Sequence, residues 1–231
     1  MKVNGAIITM NGNIADKGHE NEHFHEQSSN GIYDTPMRRD AFDKTDAEKI
    51  RIISDHFTEI MNVLGLDLEN DSLKDTAQRV ATMYVKEIFS GLDPANKPVM
   101  TLFENKYRYH QMLVEKNIKV QTNCEHHFLP IIGKAHIGYI PSTKVVGLSK
   151  INRLVKYYSQ RPQVQERLTN QLANELKSML GTEDVAVVID AVHLCVAARG
   201  IEDNGSSTVT THFSGKFNRD ETRNEFMAMI R

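Results

Sequence analysis

The sequence predicts an α+β fold from three observations. Apolar residues recur at three- and four-residue steps in several stretches, alternate at two-residue steps in others, and are separated by cap, glycine and proline signals. The resulting order is paired helices, a hairpin, two more helices, a second hairpin and a short terminal helix.

The first helix begins at Thr45-Asp46-Ala47-Glu48, a capping box in which the threonine oxygen and the glutamate carboxylate take up free N–H groups. Its stripe is Ile50, Ile53, Phe57, Ile60, Met61 and Leu64, and Gly65 supplies a left-handed stop. Ser72 is expected to cap a second helix, whose stripe of Leu73, Ala77, Val80, Tyr84 and Ile88 ends near Gly91. From Thr101 to Pro141 the pattern is strand-like, with Ile118 to Thr122 followed by Ile137 and Tyr139 alternating with polar His136. A helix then starts at Ser149, carries Ile151, Leu154, Val155 and Tyr158, and stops before Arg161-Pro162, because proline disfavours a helical residue ahead of it. The next runs from Val164 through Leu168, Leu172, Leu176 and Leu180 to Gly181. Strands over Val185 to Val196 and Ser207 to Phe213 follow, and a terminal helix near Asn224 to Ile230 closes the chain.

Composition bounds the function. A chain of 231 residues with 40% hydrophobic content is long and apolar enough to bury a core. Lys plus Arg at 28 against Asp plus Glu at 30 leaves a formal charge of -2, which gives no global drive toward nucleic acid or an acidic membrane. Anion binding must therefore be local. No apolar stretch approaches the ~20 residues of a membrane span, and Ala6 to Met10 is too short for a signal-peptide core, so a soluble cytoplasmic protein is expected. Residues 1–44, rich in Asn, Gly, His, Glu and Asp without periodicity, read as a mobile tail; His19, His23 and His25 are incidental to it.

Cys124 and Cys195 are the only cysteines, and each lies among histidines: Cys124-Glu125-His126-His127 and His193-Leu194-Cys195. Thiolate sulfur and neutral imidazole are ligands for a borderline-soft ion such as Zn²⁺. C-x-x-H with a distant cysteine gives a three-ligand set with one open position, the mark of a catalytic rather than a structural site. A disulfide is disfavoured in a reducing cytosol, and ordinary buried thiols are the other bland alternative. If the segment around His193 is extended, His193 and Cys195 face one pocket. Strand geometry would pair Cys124 with His126, whereas C-x-x-H pairs it with His127 through a turn. Spacing leaves both open, and the unused histidine is free for acid–base work.

Lys150 and Arg153 at the start of the Ser149 helix, and Arg199 after the second pair, form a candidate phosphate site, against the bland reading of a solvated helix face. Glu166 by itself reads as a first-turn acid balancing the helix dipole.

Together these blocks resemble the GTP cyclohydrolase I family. The resemblance rests on Cys124-Glu125-His126-His127-Phe128, on Gly147-Leu148-Ser149-Lys150-Ile151-Asn152-Arg153, on Arg161-Pro162-Gln163-Val164-Gln165-Glu166-Arg167-Leu168, and on Ala191 to Gly200. It covers Thr45 to the C-terminus. It implies zinc ligation by Cys124, His127 and Cys195, leaving His126 and His193 for proton transfer, with Ser149 assisting later steps. It implies attack of a metal-activated water on C8 of the guanine ring of GTP while His193 protonates N7, then formate release, ribose rearrangement and closure to 7,8-dihydroneopterin triphosphate. Glu166 would pair with the N–H edge of guanine, with Gln165 beside it, and Lys150, Arg153, Arg199 and Arg79 would hold the triphosphate.

The same resemblance implies the tunnelling fold, an antiparallel sheet with helices on one face. That divides the chain into a tail over 1–44, an N-terminal helical region over 45–100 and a catalytic domain over 101–231. It also implies a homodecamer of two stacked pentamers, with active sites at subunit boundaries and strand edges paired between subunits. Two departures are visible: Thr82 stands where a second basic residue is expected one turn after Arg79, and Ile201 to Gly205 with Thr210 to Phe213 differ from the family pattern. Two rival readings remain: a nitrile reductase on the same fold, with a cysteine nucleophile and a nicotinamide cofactor, and a noncatalytic zinc module with closed four-ligand coordination.

Overall fold

A computed structural model describes residues 34–231; His19, His23, His25 and most of the predicted tail fall outside the described residues. The first helix, α1, spans Asp46–Val63. Its capping box forms as the sequence predicts: Thr45 Oγ1 accepts from the Glu48 N–H, and Glu48 accepts from the Thr45 N–H at 2.8 Å. Gly65, at φ +78°, turns the chain away. The second helix, α2, spans Thr76–Met83 and continues as a π-helical turn over Tyr84–Ile88. Ser72 does not cap it. The Asn70 side-chain oxygen takes both the Ser72 N–H at 3.0 Å and its hydroxyl at 2.8 Å, so the hydroxyl is spent in a local turn and the helix starts one turn later.

The strands are β1 (Leu102–Glu104), β2 (Leu113–Cys124), β3 (Pro130–Tyr139), β4 (Lys144–Val146), β5 (Pro162–Gln163), β6 (Val185–His193) and β7 (Thr208–Phe213). β1 and β4 form a small antiparallel pair; the main sheet has the order β5-β2-β3-β6-β7, antiparallel except for the two-residue contact of β5 with β2. The α+β class and its antiparallel sheet are thus as the sequence predicts. A bulge interrupts β2 between Glu115 and Ile118, where Asn117 sits at φ +62°, a conformation its short polar side chain tolerates.

Helices α3 (Leu148–Ser159) and α4 (Gln165–Leu180) cover one face of the sheet. Ile151, Leu154 and Val155 of α3 and Leu168, Leu172, Leu176 and Leu180 of α4 pack against Ile118, Val120, Ile131, Ile137, Val187 and Ile189 in one buried cluster. Strand alternation sends Ala186 and Val188 to the other face, where Phe217 and Phe226 meet them; Phe226 belongs to α6 (Asp220–Ile230). The terminal helix therefore starts four residues before Asn224, with Asp220 and Glu221 in its first turn where carboxylates favour a helix start.

One correction reaches the site. The strand expected over Val185 to Val196 ends at His193, and Leu194–Ala197 form a single helical turn, α5. His193 pairs with Ile131, so the next residue would face Pro130, which has no N–H to extend the ladder. Cys195 consequently projects from a helical turn rather than from the same strand face as His193.

Candidate active site

Two chain reversals build the site at one end of the sheet. In the first, Cys124 closes β2 and the loop returns to β3 within five residues. The Phe128 N–H donates to the Cys124 carbonyl at 2.8 Å, the Cys124 N–H donates to the Leu129 carbonyl at 2.8 Å, and Asn123 Nδ2 donates to the Phe128 carbonyl at 2.8 Å. Phe128 adopts φ +54°, a left-handed conformation that costs roughly 1–2 kcal/mol for a residue with a Cβ. These three hydrogen bonds, and edge-on packing of its ring against Phe89 and Tyr84, hold it there. The turn brings His127 back over Cys124. In the second reversal α5 swings Cys195 toward the same point, because β6 ends beside the start of β3.

The ligand atoms of Cys124, His127 and Cys195 all lie within 4.8 Å of one another, and among the described residues this is the one such group. Two sulfurs bound to a common ion at ~2.3 Å are about 3.8 Å apart in a tetrahedron, so closing the group on an ion takes shifts of about 1 Å. Both cysteines are free thiols. Burial, with the adjacent Cys124 sulfur adding to it, raises the Cys195 pKa above its ordinary value. A divalent cation held by this group would reverse that preference, favouring the thiolate form of both cysteines. The donor set fits a metal ion.

Around this group the other expected residues divide into near and far. His126 is exposed; its Nδ1 lies 3.6 Å from Cys124 Sγ and its Nε2 3.9 Å from a Glu125 oxygen, outside the three-residue group. Arg199 Nη1 donates to His127 Nε2 at 3.1 Å, which places a cation over the cluster. His193 is half-buried, its Nε2 2.8 Å from Gln165 Oε1. Burial lowers the His193 pKa, opposed by the charge of exposed Glu166 in the first turn of α4. Gln165 is 1% exposed.

Ser149, Lys150 and Arg153 lie elsewhere. They occupy the start of α3, whose Asn152 hydrogen-bonds Glu115 near the beginning of β2, while Cys124 ends that strand. Nine residues of strand separate the two points, about 30 Å at ~3.3 Å per residue. Arg79 is exposed on α2 and pairs with Asp75 at 3.3 Å.

Sequence reasoning missed one structural tie: Arg167 Nη1 meets Glu125 at 2.7 Å, joining the first ligand loop to α4. Both residues stand inside the recognised blocks, but 42 positions apart, and no periodicity links them.

Fold and geometry define a class: an α+β chain with a Cys–His–Cys group that could hold a metal ion, flanked by a second imidazole and a carboxylate. The family model for GTP cyclohydrolase I matches residues 53–231, and the chain belongs to that family. A protein of Flavobacterium johnsoniae named GTP cyclohydrolase 1 is 59% identical over 85% of this chain and 88% of its own length. Proteins of the same name from Erwinia tasmaniensis and Escherichia coli O1:K1 are each 51% identical over 86% of this chain and 90% of their own length.

Proposed function

We propose that this chain hydrolyses GTP at C8 of guanine, opens the ring, releases formate and rearranges the ribose to give 7,8-dihydroneopterin triphosphate, with Zn²⁺ held by Cys124, His127 and Cys195. The observation that carries the zinc assignment is the convergence of two sulfurs and an imidazole from two separate chain reversals. Zinc bound there supplies Lewis acidity that brings the pKa of a water toward neutrality.

The remaining work falls to the chain's own side chains. His193 donates a proton to N7 of the guanine, which makes C8 electrophilic. His126, exposed beside Cys124, is the second acid–base group. Glu166 accepts hydrogen bonds from the N–H edge of the guanine, and Arg199 holds phosphate oxygens.

Lys150, Arg153 and Ser149 are too far from Cys124 to serve the same site within one copy, which supports sites shared between copies. Two strand edges support the same reading. Among the described residues the outer edge of β2 is paired only at Asn123 and Cys124, and β7 has β6 as its single strand partner. An unpaired strand edge is a ready template for pairing with a strand of another copy. The apolar residues Ile60, Val63 and Leu64 at the end of α1 are also exposed. We assign this chain to a homodecamer of two stacked pentamers acting in the cytoplasm. No helix among the described residues is long and apolar enough to cross a membrane.

Zinc-loaded protein incubated with GTP should release formate and give neopterin fluorescence after oxidation. Cys124→Ala and Cys195→Ala should each lose both the metal and that signal. Full turnover by metal-free protein would refute the assignment.

A further inference from the structure

A cavity of about 790 Å³ opens between the start of α1, the π-helical turn after α2, the end of α3 and the loop that carries His127. One wall is an aromatic cluster. Ring centroids lie 4.9 Å apart for Phe89 and Phe128, 5.4 Å for Tyr84 and Phe89, and 6.2 Å for Tyr84 and Phe128. Phe42 lines the same cavity, and it and Phe128 are 49% and 44% exposed. Rings left this open inside a concavity have apolar area still to bury against a ligand. The π-helical turn that places Tyr84 in the wall is a geometry helices adopt rarely, and mostly at functional sites.

The charge of the lining selects the kind of ligand. Three lysines against two aspartates leave the cavity net positive. Lys86 is paired with Asp46, and the Asp93 carboxylate is turned to the Ala95 N–H at 2.8 Å. Lys49 has its ammonium 5.6 Å from the Phe42 ring centroid. Neither Lys49 nor Lys156 meets a carboxylate within ion-pair distance among the described residues. Aromatic walls with two unanswered ammonium groups complement a flat ring that carries an acid group.

The cavity reaches the metal-type group through Phe128. Its ring is part of the wall, while its backbone forms the left-handed turn that returns His127 over Cys124. A ligand packed on that ring favours the turn over its relaxed alternatives. We propose that this cavity binds a planar aromatic anion, its ring against Phe42 and Phe128 and its acid group drawn by Lys49 and Lys156, and that the bound ligand tightens the hold of Cys124, His127 and Cys195 on their metal. The binding stands on the cavity alone; the coupling rests on the zinc reading proposed above.

The test uses full-length assembled protein with 2-naphthoate and its neutral analogue 2-naphthylmethanol. The chain has no tryptophan, so naphthalene fluorescence excited beyond tyrosine absorption is read clear of protein emission. The acid should bind saturably and about fivefold or more tighter than the alcohol. Lys49→Met with Lys156→Met should bring the acid down to the affinity of the alcohol, whereas Phe42→Ala should weaken both about fivefold. Excess GTP should leave the naphthoate in place. Competition with a chelator should show zinc held about threefold tighter when naphthoate is bound, and zinc must tighten naphthoate by the same factor. No saturable binding, as when a neighbouring copy fills the cavity, would overturn the site. So would equal affinities for acid and alcohol, variants that bind like the parent, or displacement by GTP, which would place the anion among the triphosphate-holding cations. Should the double variant fail to fold by circular dichroism, each single lysine variant should lose part of the preference for the acid, and neither doing so would overturn the site equally. Naphthoate bound with zinc affinity unchanged would overturn the coupling. A protein that binds naphthoate but no zinc would refute the metal reading instead, so the failures are distinguishable.

Discussion

Replacing Glu125 by glutamine tests how the first ligand loop is held ready for metal. Glu125 lies between Cys124 and the two histidines, and its carboxylate meets Arg167 of α4 at 2.7 Å with the two side chains 28% and 16% exposed. Opposite charges ~4 Å apart at an effective dielectric near 20 attract by about 4 kcal/mol. Desolvation of a mostly buried guanidinium and the ordering of two long side chains offset most of that, so the pair falls between an exposed bridge at ~0–1 kcal/mol and a buried one that costs ~3–5 kcal/mol to break. A net of about 1–2 kcal/mol follows. If the pair orders the loop in the geometry that binds metal, that energy appears in the metal equilibrium as a roughly 5- to 30-fold weaker hold on zinc. Competition with a chromophoric chelator measures it, with a thermal melt of the same sample alongside. Arg167→Met should give a loss of similar size, and the double variant should lose little more than either single one. A Glu125→Gln protein that melts earlier but keeps the parent affinity for zinc would refute the reasoning: the pair would then stabilise the fold without presetting the loop.

Two further predictions concern packing and assembly. Gly133→Ala should prevent folding or leave insoluble protein, because its Cβ would stand 2.1 Å from the Asp190 carbonyl and 2.5 Å from Ala191 Cα across the β3–β6 ladder, with only backbone to give way; soluble protein with the parent melting temperature would contradict this. For shared sites, inactive Cys124→Ala and inactive Arg153→Ala, unfolded together and refolded as a mixture, should regain part of the turnover, whereas either alone should not; no recovery in a mixed assembly confirmed by native mass spectrometry would place both residues in one copy's site.

Much of the framework was readable in the chain because it is local. The Thr45 capping box forms as its spacing predicts, and the stripe of Leu168, Leu172, Leu176 and Leu180 is the buried face of α4, ended by Gly181 at φ +62°. What spacing left undecided was non-local. It could not choose between His126 and His127, since that depends on a left-handed Phe128 held by bonds to Asn123, Cys124 and Leu129. It mistook Cys195 for a strand residue because the ladder stops for want of an N–H on a proline sixty-odd positions away. It also took Ser72 for a cap, although Asn70 captures it first.

The chain by itself determined the chemistry on offer: two thiols, several imidazoles, a carboxylate in the first turn of a helix and a handful of cations, each set in recognisable blocks on helices and strands whose local patterns are self-sufficient. The tertiary structure decided which of them meet. Strand register brings Cys124, His127 and Cys195 together and threads Gln165 between His193 and Thr210, while the length of β2 carries Ser149, Lys150 and Arg153 to the other end of the sheet. The physical reason is that a side chain's identity is fixed where it stands in the chain, whereas its neighbours are fixed by hydrogen-bond ladders between residues far apart in sequence.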